Sequence, residues 1–257
     1  MADELFDMEL RALRRDRAAR MGPVLFLHER AFEDCLERLE SMRKDFRSAL
    51  LIGCPDPDWP NRLRAYAAKV EVVDPGHLFA RSTGGQSIVE DAWAPTPAAY
   101  DLCLAIGTLD SVNDLPRSLL TLRFALGEGG LLLGALSGGN TLPRLRAAMR
   151  AADEVAGTAT PHVHPRIDPA ALAGLLVSAG FNAPVIDVDR VAVSYPSLDR
   201  LVDDLRRMGG TNLLRRRSRA PLNKAEYAAA ARTFAEGSAD GTEEVFEILH
   251  FLGWNSI

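Results

Sequence analysis

The chain has 257 residues, of which 47% are hydrophobic and 25% are charged, and its formal net charge is −5. These proportions are those of an ordinary globular protein and exclude a disordered or fibrous chain. The negative balance argues against a dedicated nucleic-acid binder, because phosphate contacts need a basic face. Three cysteines without CxxC spacing predict neither a disulfide framework nor a zinc site, and they fit a reducing compartment.

The first part of the chain, residues 1–48, is predicted to be a helical segment. In residues 28–46, HERAFEDCLERLESMRKDF, apolar side chains recur at steps of three and four, which is typical of a helix with one buried face. The N-terminus lacks the apolar core of a signal peptide, and no later run is long enough to span a bilayer. We therefore expect a bacterial cytoplasmic protein without a membrane span.

From residue 49 onward, short apolar runs alternate with helical patterns. Buried strands are predicted at 49–53, 70–74, 87–89, 100–107 and 130–136, and helices at 61–69 and 115–126. Alternation of this kind predicts right-handed βαβ units and a parallel sheet. We therefore expect one doubly wound, Rossmann-like α/β domain over residues 49–257.

The second half of the chain predicts a different arrangement. Asp168 is a plausible N-cap, with Pro169 at the first helical position and Gly180 as the terminator. A long or bent strand over 183–196 follows, and helices are then predicted within an insertion at about 197–240. The closing run, EEVFEILHFLGW, is too densely apolar for a one-sided strand and predicts a last strand buried on both faces.

A ligand site is predicted where the strands end. In an open parallel sheet, ligands bind beyond the carboxyl ends of the strands, which here are followed by residues 53–57, Asp74, residues 90–91 and residues 107–110. Asp74 lies about 20 residues beyond the first turn, where a carboxylate would accept a ribose diol. The alternatives are that Asp74 is only a turn residue before a proline, and that residues 90–91 are a solvated loop.

Several segments resemble one known family. LDSVNDLPRSLLTLRFALGEGGLLLGALSGGNTLPRLRAAM, TPHVHPRIDPAALAGLLVSAGF, DVDRVAVSYPSLDRLVDDLRRMGGTN, the opening ELFDMELRALRRDRAA and the closing FLGW carry the resemblance. They are similar to class I S-adenosylmethionine-dependent methyltransferases. Within that superfamily they resemble respiratory complex I assembly proteins related to the mitochondrial arginine hydroxylase. A more distant relative is the malonyl-acyl-carrier O-methyltransferase of biotin synthesis.

This resemblance implies a seven-stranded sheet whose last strand is antiparallel, with helices inserted before it. It also implies S-adenosylmethionine as the cofactor and a protein substrate or assembly partner. The implied cofactor-binding residues are Gly53, Cys54, Asp74, Pro75, Asp91, Ala92 and Gly107. The residues expected on the substrate side are Asp110, Asn113, Tyr195 and Asn212, although Tyr195 could equally cap a strand before a proline.

The first motif departs from the family pattern. Where relatives have an acidic residue before a Gly-x-Gly turn, this chain has Leu51, Gly53, Pro55 and Pro57. Glycine lets the backbone approach a ligand, whereas proline fixes φ and removes an N–H donor. The family's Leu-His-Trp-Val-Asn-Asp-Leu-Pro also becomes Leu-Asp-Ser-Val-Asn-Asp-Leu-Pro at 109–116. These changes predict weakened cofactor binding, by a few kcal/mol in the first motif alone.

Other chemistry-bearing residues favour structural roles. His162 and His164 in PHVHP have the spacing of two metal ligands, but they lack a third nearby ligand, and we predict no metal site. Cys54 and Cys103 are predicted to be buried and inert, and Cys35 lies on the apolar stripe of the predicted helix. The basic run Arg215 to Arg219 has no aromatic residue for base stacking, so it predicts a solvated loop or a contact to a partner protein.

Three functions remain open on the sequence alone. The first is a methyltransferase-like protein that acts on or binds a protein, and the second is a pseudoenzyme that has lost its cofactor and serves as an assembly or binding module. An acyl-carrier O-methyltransferase is a further alternative. No catalytic residue can be assigned from the sequence.

Overall fold

A seven-stranded mixed sheet runs through the computed structural model, which describes residues 4–236 and 241–255. The strands are β1 Phe46–Ile52, β2 Ala67–Asp74, β3 Gln86–Ser87, β4 Tyr100–Ile106, β5 Leu126–Ser137, β6 Asn182–Tyr195 and β7 Thr242–Asn255. Their order is β3-β2-β1-β4-β5-β7-β6, with β7 antiparallel to both of its neighbours and the other pairs parallel. The predicted doubly wound sheet with an antiparallel last strand is confirmed.

Helices connect the strands and precede the first of them. They are α1 Met8–Met21, α2 Phe26–Met42, α3 Trp59–Leu63, α4 His77–Ser82, α5 Leu115–Ala125, α6 Pro143–Ala156, α7 Pro169–Ser178, α8 Leu198–Arg207 and α9 Lys224–Ala235. Within the described residues, none of these helices is long and apolar enough to cross a membrane. The first three residues of the predicted N-terminal segment and residues 237–240 of the predicted insertion lie outside the described part of the chain.

The capping prediction for α7 is confirmed. The Asp168 carboxylate accepts a hydrogen bond from the Ala171 amide at 2.8 Å, Pro169 is the first helical residue, and Gly180 adopts φ +86° after the last turn. The helix predicted at 61–69 is wrong beyond Leu63. Helix α3 ends at Leu63 and β2 begins at Ala67, because pairing with β1 uses the backbone groups that a longer helix would need.

Helices cover both faces of the sheet, because successive side chains of a strand point to opposite faces. Alternate residues of β1, β4 and β5 pack on one face against α2 and α3, around the stacked rings of Phe32 and Trp59. The other residues of these strands pack against α5 and α7. A third apolar cluster joins α6, α8 and α9 to β7. Strand β7 is buried along most of its length, as its apolar density predicts.

Candidate functional site

The predicted binding edge lies at the carboxyl ends of β1, β2 and β4. Gly53 follows β1 with φ +80° and donates its N–H to Val73 O at 2.9 Å, so the first turn is held against the second strand. Asp74 ends β2, and Gly107 follows β4 with φ +60°. The structure therefore brings these three residues to one edge of the sheet, where the topology predicts a site.

The Asp74 carboxylate is fully buried and accepts four hydrogen bonds. Arg15 of α1 donates from Nε to Oδ1 at 2.8 Å and from Nη2 to Oδ2 at 2.6 Å. The Gly76 amide donates to Oδ1 at 2.7 Å and the Cys54 amide to Oδ2 at 2.8 Å. A carboxylate offers about four lone-pair sites. All of them are occupied by groups of this chain.

A second buried ion pair lies beside the first. Arg11, one helical turn before Arg15, binds Glu90 with both terminal nitrogens, at 2.5 Å and 2.9 Å, and also donates to Thr108 O at 2.7 Å. The buried residues of α1 are Arg11, Arg15, Asp16 and Ala18, so three of the four are charged. Ion pairs and hydrogen bonds, more than apolar packing, hold this helix on the binding edge.

Electrostatics around Arg15 favour its charged form. Burial alone would lower the pKa of the guanidinium, but the charge and hydrogen bonds of Asp74 outweigh burial and raise that pKa. The neighbouring imidazole of His28 responds in the opposite direction. Burial, followed by the positive charge of Arg15, lowers the pKa of His28 to about 4. At neutral pH this edge therefore holds a charged Arg15 and a neutral His28.

A cavity of about 130 Å³ remains beneath α1, between the ends of β4 and β5 and the C-terminal end of α8. Its wall includes His28, Asp110, His164 and Arg166, with Asp110 and Arg166 forming an ion pair. Burial would raise the pKa of Asp110, but the positive charges of Arg166 and Arg11 hold it below its usual range. The His28 Nδ1 and Arg166 Nε atoms are buried without a hydrogen-bond partner among the described residues.

The other residues predicted at the cofactor site are spread along the same edge. The Cys54 thiol is buried and donates to Asp56 O at 3.2 Å, and burial raises its pKa. Pro75 is buried. Asp91 accepts hydrogen bonds from the backbone N and the Nδ2 of Asn113, both at 3.1 Å, and Ala92 is exposed in the same turn.

The four residues predicted on the substrate side do not meet. Asp110 lines the cavity, whereas Asn113 accepts from the Phe6 amide at 2.7 Å and joins the N-terminal segment to Asp91. Asn212 donates to Pro161 O at 2.7 Å. Tyr195 is 2% exposed and belongs to the apolar cluster of α6, α8 and α9, away from the cavity wall.

The two histidines of PHVHP take separate partners. His162 Nε2 lies 2.9 Å from Asp153 Oδ1, while His164 Nε2 accepts from the Leu213 amide at 2.8 Å. Over residues 4–236 and 241–255, no group of three or more potential metal ligands comes together. The predicted burial of Cys35, Cys54 and Cys103 is confirmed.

Comparison with known proteins identifies the chain's relatives. It is 30% identical over 273 residues to arginine-hydroxylase NDUFAF5, mitochondrial, of Mus musculus, covering 97% of this chain and 77% of the relative. The chain therefore belongs to the NDUFAF5 family. It is also 31% identical over 159 residues to the malonyl-[acyl-carrier protein] O-methyltransferase of Xylella fastidiosa, covering 61% of this chain and 52% of that protein. Both relationships implied by the sequence resemblance are confirmed.

The fold has solved counterparts. A putative methyltransferase from Bacillus halodurans superposes with a TM-score of 0.56 at 11% identity, over 86% of this chain and 99% of that one. No family model matches the sequence. This NDUFAF5-family chain thus has the architecture of a class I methyltransferase.

The residues at the binding edge do not fit S-adenosylmethionine. The Asp74 carboxylate has no lone pair left for a ribose hydroxyl. A side chain built on Gly53 would meet Ile106 O and the Thr108 methyl group, so the chain itself fills the space on that side of the turn. Pro55 is buried and offers no N–H. The cavity of about 130 Å³ beneath α1 does not have Gly53, Asp74 or Asp91 in its wall.

Sequence reasoning missed the residues that occupy this edge. Arg11 and Arg15 were not predicted as site residues, and neither were His28 and Arg166. Glu90 was predicted only as one of the residues that follow a strand. One signal was present in the sequence, because two arginines four residues apart on a helix share a face. The spacing does not indicate that this face of the helix is buried against Asp74 and Glu90 in the NDUFAF5-family chain.

Proposed function

We propose that this NDUFAF5-family chain binds a protein partner as an assembly or binding module and does so without S-adenosylmethionine. The observation that carries the proposal is the buried Arg15–Asp74 pair, which occupies the carboxylate that would hold the ribose. Arg11 and Glu90 form a second buried ion pair one helical turn away. Together the two pairs hold helix α1 over the edge where the cofactor would bind, and we call this arrangement the closure by α1. The first motif adds Leu51, where the family resemblance implies an acidic residue, and the backbone of Pro55 lacks a donor.

A protein is the partner that the chain's features favour. Several segments are similar to respiratory complex I assembly proteins, and the mouse relative is named an arginine hydroxylase. Large apolar side chains are exposed on the helices, including Leu13 of α1 at 62% and Leu120 and Phe124 of α5 at 52% and 56%. Arginine and exposed apolar side chains are common in protein interfaces.

Calorimetry separates this proposal from methyl transfer. The wild-type chain is titrated with S-adenosylmethionine and S-adenosylhomocysteine at ligand concentrations up to about 1 mM, where a Kd of 1 mM corresponds to about −4 kcal/mol. The proposal predicts no binding heat and no thermal shift. A Kd in the micromolar range for either ligand would refute it.

A variant series locates the cause of the lost binding. Pro55→Gly with Pro57→Gly restores backbone freedom in the first turn but leaves Arg15 on Asp74, so we expect no gain in binding. Adding Arg15→Ala frees the carboxylate, and we expect measurable binding of S-adenosylhomocysteine to appear only then. If the two glycine substitutions restore binding by themselves, the closure by α1 is not what excludes the cofactor.

A further inference from the structure

Three arginines that form no ion pair among the described residues lie near one another, two on α1 and one on α8. Arg14 donates to Asn212 O, and Arg17 donates from Nη2 to the Thr211 hydroxyl at 3.2 Å, so both guanidinium groups are tied to one loop by uncharged acceptors. Arg206, near the end of α8, forms no ion pair within the described residues. In a chain of net charge −5, this is a local concentration of positive charge.

These arginines repel one another. Burial, followed by the charges of Arg17 and Arg217, lowers the pKa of Arg14 to about 10. Burial and the charge of Arg206 lower the pKa of Arg17. The Arg17 Nε atom is also buried without a hydrogen-bond partner among the described residues. Like charges held together are an arrangement that an anionic ligand stabilises.

The chemistry around the cluster selects the kind of anion. Leu13 is 62% exposed on the same helix, and Arg206 is exposed, so the surface combines open apolar and basic groups. No aromatic residue lies in the loop over 209–217 to stack on a base. An acidic peptide segment with apolar side chains can satisfy both the guanidinium groups and Leu13, whereas a phosphate group alone would leave Leu13 in water.

The basic run 215–219 supports this surface without being its centre. Arg215 pairs with Glu4, and Arg217 lies 3.5 Å from Asp7 and donates to Leu214 O at 2.8 Å. The Asp7 amide donates to Leu213 O, and the Arg215 amide donates to Leu5 O. The loop therefore fastens the N-terminal segment and fixes the positions of Arg14 and Arg17.

From this arrangement we infer that Leu13, Arg14, Arg17 and Arg206 form a docking surface for an acidic segment of the partner protein. The inference rests on the proposed function, because it specifies the chemistry of the partner that the module binds. Association would gain from charge attraction across the interface and from covering Leu13. The surface lies on the helix that closes the cofactor edge, so docking needs that helix to remain in place.

A peptide titration tests the inference on the full-length chain. The probe is a fluorescently labelled nine-residue peptide with three repeats of Glu-Glu-Leu, and the control probe carries Lys-Lys-Leu. We expect anisotropy to report binding of the glutamate peptide only, and its Kd to rise at least about tenfold when salt is raised from about 50 mM to about 500 mM. Equal binding of the two peptides would overturn the inference.

Two variants and a matched control assign the surface. Arg14→Ala with Arg17→Ala and Arg206→Ala should weaken the glutamate peptide at least about tenfold. Arg206→Glu alone, at an exposed position, should weaken binding of the glutamate peptide at least about threefold. This variant leaves the half-buried Arg14 and Arg17 unchanged, so it tests the surface even if the triple variant does not fold. Removing the same charge elsewhere, with R47A, R64A and R81A at exposed positions, should change the Kd by less than about twofold. Equal effects of the two triple variants would overturn the assignment.

The remaining outcomes point to other ligands. Displacement of the peptide by inorganic pyrophosphate at concentrations below the peptide's own Kd would overturn the acidic-protein assignment. So would binding of phosphatidylserine vesicles that is tighter than binding of the peptide and is lost in R206E. If the glutamate peptide does not bind, the docking inference fails. The proposed absence of cofactor binding is then still tested separately, by calorimetry. Binding of S-adenosylhomocysteine would refute the proposed function whatever the peptide does.

Discussion

Removal of the Arg15 side chain should destabilise the fold strongly. In the wild-type chain the Arg15 side chain is 6% exposed and its partner Asp74 is fully buried. Arg15→Ala removes two charge-assisted hydrogen bonds and leaves the carboxylate without a counter-charge. Breaking a buried ion pair by removing one partner costs about 3–5 kcal/mol.

The expected value for this pair lies at the lower end of that range. Asp74 would keep the amides of Cys54 and Gly76 as donors, so its desolvation is partly compensated, and we expect a loss of about 3 kcal/mol. For a chain of this size, each kcal/mol corresponds to roughly 2–4 °C in Tm. The midpoint of thermal unfolding should therefore fall by roughly 6–12 °C.

Urea unfolding followed by far-UV circular dichroism measures this loss directly. The matched control is Arg30→Ala, which removes an ion pair to Asp189 whose arginine side chain is 56% exposed, and it should cost less than about 1 kcal/mol. Adding Asp74→Asn to Arg15→Ala removes the stranded charge, so the double variant should be more stable than the sum of the single effects predicts. Equal losses for Arg15→Ala and Arg30→Ala would refute the account of a buried, stabilising closure.

Three further predictions concern the first turn, the buried His164 and the cysteines. Gly53→Ala forces a side chain against Ile106 O at φ +80° and should cost at least about 2 kcal/mol in urea unfolding; a neutral substitution would contradict the packed turn. His164 has a pKa lowered to about 3, by burial and then by Arg166, so between that value and about 6.5 the unfolded state binds more protons. The stability contributed by keeping His164 unprotonated should be fully present above about pH 6.5 and be lost as the pH drops. A plot of the free energy of unfolding against pH should therefore have a shallower slope for His164→Gln than for the wild type. Ellman's reagent should modify no cysteine in the native chain and three after denaturation, and rapid native reaction would count against their burial.

Much of the architecture could be predicted because it depends on patterns among residues that are close in sequence. Strand periodicity, the Asp168 cap and the dense apolar run at 243–254 depend on near neighbours, and the structure has all three. The helix predicted at 61–69 failed for a related reason. A pattern of apolar spacing does not record that the backbone from Ala67 onward pairs with β1, and this pairing ends helix α3 early.

The closure of the binding edge could not be predicted from the same information. Arg15 meets Asp74 across 59 residues of sequence, and Arg11 meets Glu90 across 79. Nothing in the periodicity of α1 distinguishes an arginine that faces water from one that faces a buried carboxylate. The prolines of the first turn predict weak cofactor binding, but only the structure shows that Asp74, the carboxylate predicted to bind the ribose, is already paired with Arg15.

An NMR titration of the full-length chain tests the closure most directly. The isotope-labelled protein is titrated with S-adenosylhomocysteine while the amide resonances of Cys54 and Gly76, which donate to Asp74, are followed. A closed edge predicts that neither resonance shifts at ligand concentrations up to about 1 mM. Saturable shifts of both resonances would show that the ligand reaches Asp74 despite Arg15, and would contradict the account.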